Sequence, residues 1–101
     1  MKISLSDYKS FDGTYKEWAI MKCQFTATAN AHGYGDYINV DYEIPEETEA
    51  GYKKYLKASS YVYNALEYSC CAGTAITIIQ KFKKNREGIK AWRKLIEWME
   101  S

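Results

Sequence analysis

An all-α fold, a single small bundle of four to five helices, is what this chain of 101 residues predicts, and three observations lead there. Apolar residues recur at steps of three and four in separate segments, the spacing of helices with one buried face. Turn formers gather between the first two of those segments, in HGYGDYINVDYEIP. No strand-like segment rivals them except the β-branched run ITIIQKF. The length suits one domain with a modest core.

The elements follow in order. Residues 1–10 are expected to be a flexible or extended arm. Asp12 or Thr14 can cap a first helix whose face is Tyr15, Trp18, Met21, Phe25 and Ala29, ending near His32 and Gly33. After the loop, Pro45 followed by Glu46, Glu47 and Glu49 predicts the first turn of a second helix, because proline needs no amide partner there and acids complement the helix dipole. That helix is expected to run to about Cys71, with Tyr52, Tyr55, Leu56, Ser59, Val62, Tyr63, Leu66 and Cys70 inward. Gly73 breaks the chain, ITIIQKF is read as a short helix, and Asn85 is the expected cap of a last helix with Ile89, Trp92, Leu95 or Ile96, and Met99 on its face. Phe11, Tyr15, Trp18, Phe25, Leu66, Trp92 and Leu95 are the expected core anchors, since a small domain must bury its largest side chains. Ten tyrosines exceed what such a core can hide, so Tyr34, Tyr37 and Tyr42 are expected to be partly exposed.

Chemistry-bearing candidates are few. His32 is the single histidine and stands before a glycine, which reads as a helix end rather than a metal ligand or triad member. Cys23, Cys70 and Cys71 include a vicinal pair and lack metal or redox spacing, so they read as reduced thiols in an intracellular, cytoplasmic setting. Asp12-Gly13-Thr14 is a helix start, not a protease loop. No catalytic residue, cofactor or metal is therefore expected. The apolar runs are too short to cross a bilayer, and the start MKISLSDYKS is too polar for a signal peptide, so no membrane association is expected.

Charge is segregated although the net value is only +1. Six acids (Asp36, Asp41, Glu43, Glu46, Glu47, Glu49) lie within residues 36–49, and seven bases (Lys81, Lys83, Lys84, Arg86, Lys90, Arg93, Lys94) within residues 81–94, where Glu87 is the only acid. Three readings are open. The runs are solvated faces, the opposite poles of a head-to-tail contact between copies, or, at residues 81–94, a patch for RNA phosphate.

Phe11-Asp12-Gly13-Thr14-Tyr15 with Trp18 resembles the F-x-G-(x)-Y-x-x-W start of the capsid region in Gag polyproteins of copia-type LTR retrotransposons. Ala91-Trp92-Arg93-Lys94-Leu95 resembles the later A-W-x-x-L motif of the same family. The likeness covers about residues 5–100, although Thr14 follows Gly13 directly and Met99 stands where a tyrosine is common. It implies a capsid N-terminal type of helical domain that packs with weak contacts into a particle shell around RNA, without catalysis or small-molecule substrate. It also implies that Trp18 and Trp92 anchor the first and last helices in one core. The family's zinc knuckle has no counterpart here, so either a fragment of a polyprotein or a domesticated remnant is expected. Two alternatives stay open, a helical nucleic-acid-binding module using residues 81–94 and an adaptor for another protein.

Overall fold

The computed structural model describes residues 5–70 and 73–101. A 3-10 turn, Leu5–Asp7, precedes five helices: α1 (Tyr15–Ala31), α2 (Gly35–Ile38), α3 (Tyr52–Ser69), α4 (Gly73–Gln80) and α5 (Gly88–Met99). No strand forms among the described residues. The one β-type pairing there is an isolated bridge between Phe11 and Cys70, in which the Phe11 N–H donates to the Ser69 carbonyl at 2.9 Å.

α1 starts where its capping residues place it. The Asp12 carboxylate accepts from the Thr14 N–H at 3.0 Å and hydroxyl at 2.7 Å, and the Thr14 hydroxyl accepts from the Glu17 N–H at 3.3 Å. Trp18, Met21, Phe25 and Ala29 are buried, as their spacing predicts. Tyr15 is the exception, 69% exposed in the first turn. The chain before α1 folds back so that buried Phe11 lies 5.9 Å from the Trp18 ring and takes the place expected for Tyr15. Gly33, at φ +86°, ends the helix in the left-handed conformation that favours glycine, while the Tyr34 N–H reaches back to the Ala29 carbonyl at 2.8 Å.

α3 begins six residues later than Glu46. Residues 46–51 form turns instead, in which the Glu49 N–H donates to the Glu46 carbonyl at 2.9 Å and the Glu49 carboxylate accepts from the Glu46 N–H at 3.0 Å. Local bonds satisfy those backbone groups, three acids crowded into one turn repel one another, and Gly51 is a poor helix former. α3 then ends at Ser69; Cys71, where its end was expected, lies outside the described residues. Its buried face runs from Tyr55 to Ser69 and includes Leu66, but Leu56 sits at the edge, 45% exposed. ITIIQKF is helical through Gln80 and buries Ile78 and Ile79.

α5 starts at Gly88, with Glu87 at the cap position and no side-chain cap bond, so Asn85 does not cap it. Turns occupy the intervening residues: the Arg86 N–H donates to the Lys83 carbonyl and the Glu87 N–H to the Phe82 carbonyl, both at 3.2 Å. What sets the start is the crossing on α3. A Cβ at Gly88 would collide with the Tyr63 nitrogen and the Ser59 carbonyl oxygen and lie 2.6 Å from the Val62 carbonyl carbon. Beside this crossing, buried Ser59 accepts the Ile89 N–H on its hydroxyl at 3.4 Å, serving one of the amides that a helix start leaves unpaired. Ile89, Trp92, Leu95 and Met99 face inward, as predicted.

Trp92, 1% exposed, stacks on Phe25 at 4.6 Å and meets Trp18 at 6.0 Å, so both indoles share one core. Glu100 closes the bundle beyond α5: one carboxylate oxygen accepts from the Trp18 indole N–H at 3.1 Å and from the Lys22 ammonium at 2.6 Å. The expected N-terminal arm is also corrected. Tyr8 is buried, 4.9 Å from the Phe25 ring, so residues 5–10 cover the core, while residues 1–4 lie outside the described residues.

Trp92→Ala is expected to cost about 3 to 5 kcal/mol, a large share of a small domain's stability. Gly88→Ala should cost about 3 kcal/mol or more, because backbone atoms rather than flexible side chains oppose the methyl group. Tyr15→Ala should stay within about 0.5 kcal/mol. Urea midpoints of the three variants check this order; a Gly88→Ala midpoint equal to that of the parent would contradict the crossing.

Candidate functional site

All six acids of residues 36–49 are exposed, Asp36 on α2 and the others on the segment joining α2 to α3. None has an ion-pair partner among the described residues. The Glu46 to Glu49 turn bond holds part of this segment in shape.

The seven bases of residues 81–94 do not form one patch. Lys81, Lys83 and Lys84 are exposed on the turns after α4 and have no ion pair among the described residues. Arg86, at φ +49°, donates to the Asn64 side-chain carbonyl and lies 5.8 Å over the Tyr63 ring, which ties the turn to α3. Arg93 is half-buried, donates to the Tyr42 carbonyl and fastens the loop onto α5; its Nε is buried without a partner among the described residues. Lys90 pairs with Glu87 at 3.4 Å and Lys94 with Glu97 at 3.2 Å. Two arginines thus hold the fold, and three lysines remain without ion pairs among the described residues.

Nor are the acidic and basic runs opposite poles. A groove of about 690 Å³ runs between residues 44–47, the outer edge of α3 and the start of α5. Glu46 and Glu47 line one side, Glu87 and Lys90 another, and Tyr52 and Leu56 contribute apolar surface above the buried Tyr55. Lys90 thus belongs to the acidic side of the molecule. Helical spacing treats the centre and the edge of a buried stripe alike, so nothing in the sequence marked Tyr52 and Leu56 as groove residues.

Tyrosines form a second surface feature. Seven of them make a continuous series of ring contacts, Tyr8 to Tyr61 at 6.3 Å, Tyr61 to Tyr34 at 4.0 Å, Tyr34 to Tyr37 at 6.3 Å, Tyr37 to Tyr42 at 5.2 Å, Tyr42 to Tyr55 at 6.4 Å and Tyr55 to Tyr52 at 5.7 Å. Tyr34, Tyr37 and Tyr42 are half-buried in it, in line with their expected partial exposure. His32 ends α1 as expected, but its ring is tucked between Tyr8 and Tyr61 with Nε2 2.9 Å from the Asp7 carboxylate. Burial, and then the hydrogen bond with Tyr61, pushes the Tyr8 hydroxyl well above the ordinary tyrosine range. Burial raises Tyr42 and Tyr61 as well, and pushes Tyr63 up to about 12.

Among the described residues no group of three potential metal ligands comes together, and no helix is long and apolar enough to cross a membrane. Cys23 is exposed and Cys70 buried. Searches against family models, curated proteins and solved structures return no match.

The raised tyrosines fix the sign of an alkaline effect. Unfolded tyrosines lose their protons near pH 10 while the folded ones keep them, so the folded state holds more protons there and stability falls as pH rises. The urea midpoint should therefore drop between about pH 10 and 12, and Tyr8→Phe should flatten that drop. An equally steep drop in Tyr8→Phe would contradict the assignment. Neither EDTA nor reductant should move the melting temperature; a fall on adding EDTA would reveal a structural metal.

Proposed function

We propose that this chain is a non-catalytic self-assembly domain of the retrotransposon Gag capsid type, packing with copies of itself through weak contacts into a shell around RNA. The observation that carries the reading is the meeting of Trp18 and Trp92 at 6.0 Å in a single core. They belong to the two motifs that carry the resemblance, and that resemblance requires them to anchor the first and last helices together. Unpaired charges of both signs on the surface supply material for contacts between copies, and a weak contact suits assembly because misplaced subunits must leave. A dissociation constant near 100 μM corresponds to only about 5 to 6 kcal/mol.

A second reading, a helical RNA-binding module, draws support from the three unpaired lysines at residues 81–84. Phosphate binding by such lysines would weaken steeply as salt rises.

Size-exclusion chromatography with light scattering, run across protein and salt concentration with and without single-stranded RNA, separates the two. Self-assembly predicts a mass that grows with protein concentration in the absence of RNA. A mass that grows only when RNA is added favours the second reading, and a monomer under every condition contradicts both.

A further inference from the structure

We infer that the groove between the acidic loop and the start of α5 receives the lysine turn at residues 81–84 of a second copy of this chain. The inference rests on the self-assembly reading and names the contact through which it operates.

Charge balance comes first. Three carboxylates, Glu46, Glu47 and Glu87, face the groove against one cation, Lys90. Glu87 and Lys90 neutralise each other at 3.4 Å, which leaves Glu46 and Glu47 unpaired. The groove is therefore acidic, yet it also presents the half-buried ring of Tyr52 and the half-exposed Leu56. Its occupant must combine ammonium groups with apolar stems. At about 690 Å³ the space takes a few long side chains, not a whole helix.

Residues 81–84, Lys-Phe-Lys-Lys, have that chemistry. Lysine stems lay four carbons each along apolar surface while the ammonium stays polar, and tyrosine faces attract cations. The three lysines are exposed and lack ion pairs among the described residues, whereas Phe82 is half-buried and anchors the turn. Backbone bonds already shape the turn, with the Phe82 N–H donating to the Ile79 carbonyl at 3.0 Å and the Lys83 N–H to the Gln80 carbonyl at 3.2 Å, so little order must be gained on docking. None of the three lines the groove of its own chain. The next residue, Asn85, does, so turn and groove adjoin on the chain and each copy brings both halves of the contact.

Sedimentation velocity on the full chain, from micromolar to millimolar concentration, tests this with two variants, Glu46→Lys/Glu47→Lys and Lys83→Glu/Lys84→Glu. All the replaced side chains are exposed, so circular dichroism should match the parent. Each variant alone should associate at least about 10-fold more weakly, and an equimolar mixture should regain association. Leu56→Asn should weaken it too, because it removes apolar surface without adding charge, and Lys94→Glu, which lies outside the groove, should not. Association of either charge variant at parental strength, or a mixture no better than its parts, overturns the groove while leaving self-assembly standing. A parent that associates only with RNA overturns the groove and assigns the lysines to phosphate. A parent that stays monomeric overturns both the groove and the self-assembly reading.

Discussion

The close crossing of α5 over α3 at Gly88 is the contact on which the rest of the molecule depends. There the two backbones approach so nearly that no side chain fits, and Ser59 accepts from the Ile89 amide in the first turn of α5. The position and rotation of α5 follow from that approach. One turn on, Trp92 points into the centre, where Phe25 stacks on it and Trp18 meets it at a tilt. α1 is therefore held by the reach of aromatic rings, each worth on the order of 2 to 3 kcal/mol when buried. Phe11 covers Trp18 from one side, and Glu100 holds its indole N–H from the other. Loosening the crossing would withdraw Trp92 and leave α1 without the ring that both Trp18 and Phe25 meet.

Polar requirements decide how the rest of the surface is used. Tyrosine buries a ring and keeps a hydroxyl to satisfy, which suits the rim of a small core better than its centre. The row of tyrosine contacts from Tyr8 to Tyr52 links the N-terminal turn, α2, the following loop and α3 along that rim. Arg93 and Arg86 work in the same way, binding the loop and the turn to the helices through a carbonyl and an amide side chain. After these commitments, the acids of residues 36–49 and the lysines of residues 81–84 remain without ion-pair partners among the described residues. In the self-assembly we propose, those are the groups through which copies would recognise one another.

Much of this was legible in the sequence where local rules operate. The Asp12 and Thr14 cap, the face from Trp18 to Ala29, the glycine stop at Gly33 and the inward row of α5 each follow from periodicity and capping. What escaped depends on contacts between distant residues. Pro45 and its acids satisfy every local rule for a helix start, but the Glu49 side chain closes a turn there instead. Tyr15 sits at helical spacing yet faces water because Phe11 folds back over Trp18. Gly88 carried no expectation, and only the path of α3 shows why nothing larger fits there. The candidate site was legible only in part. Its acids and lysines stood out as runs, while the division of the basic run into structural arginines and unpaired lysines emerged from the fold.

Native-state hydrogen exchange tests the central place of the α3 and α5 crossing most directly, because it measures the opening free energy of each amide separately. The amides of residues 62–66 and 91–95 should be the slowest of the chain and share one free energy, equal to that of global unfolding. α4 and the N-terminal turn should open at lower cost. If the slowest amides lie in α1 while α5 exchanges through local opening, the crossing is not what holds this fold together.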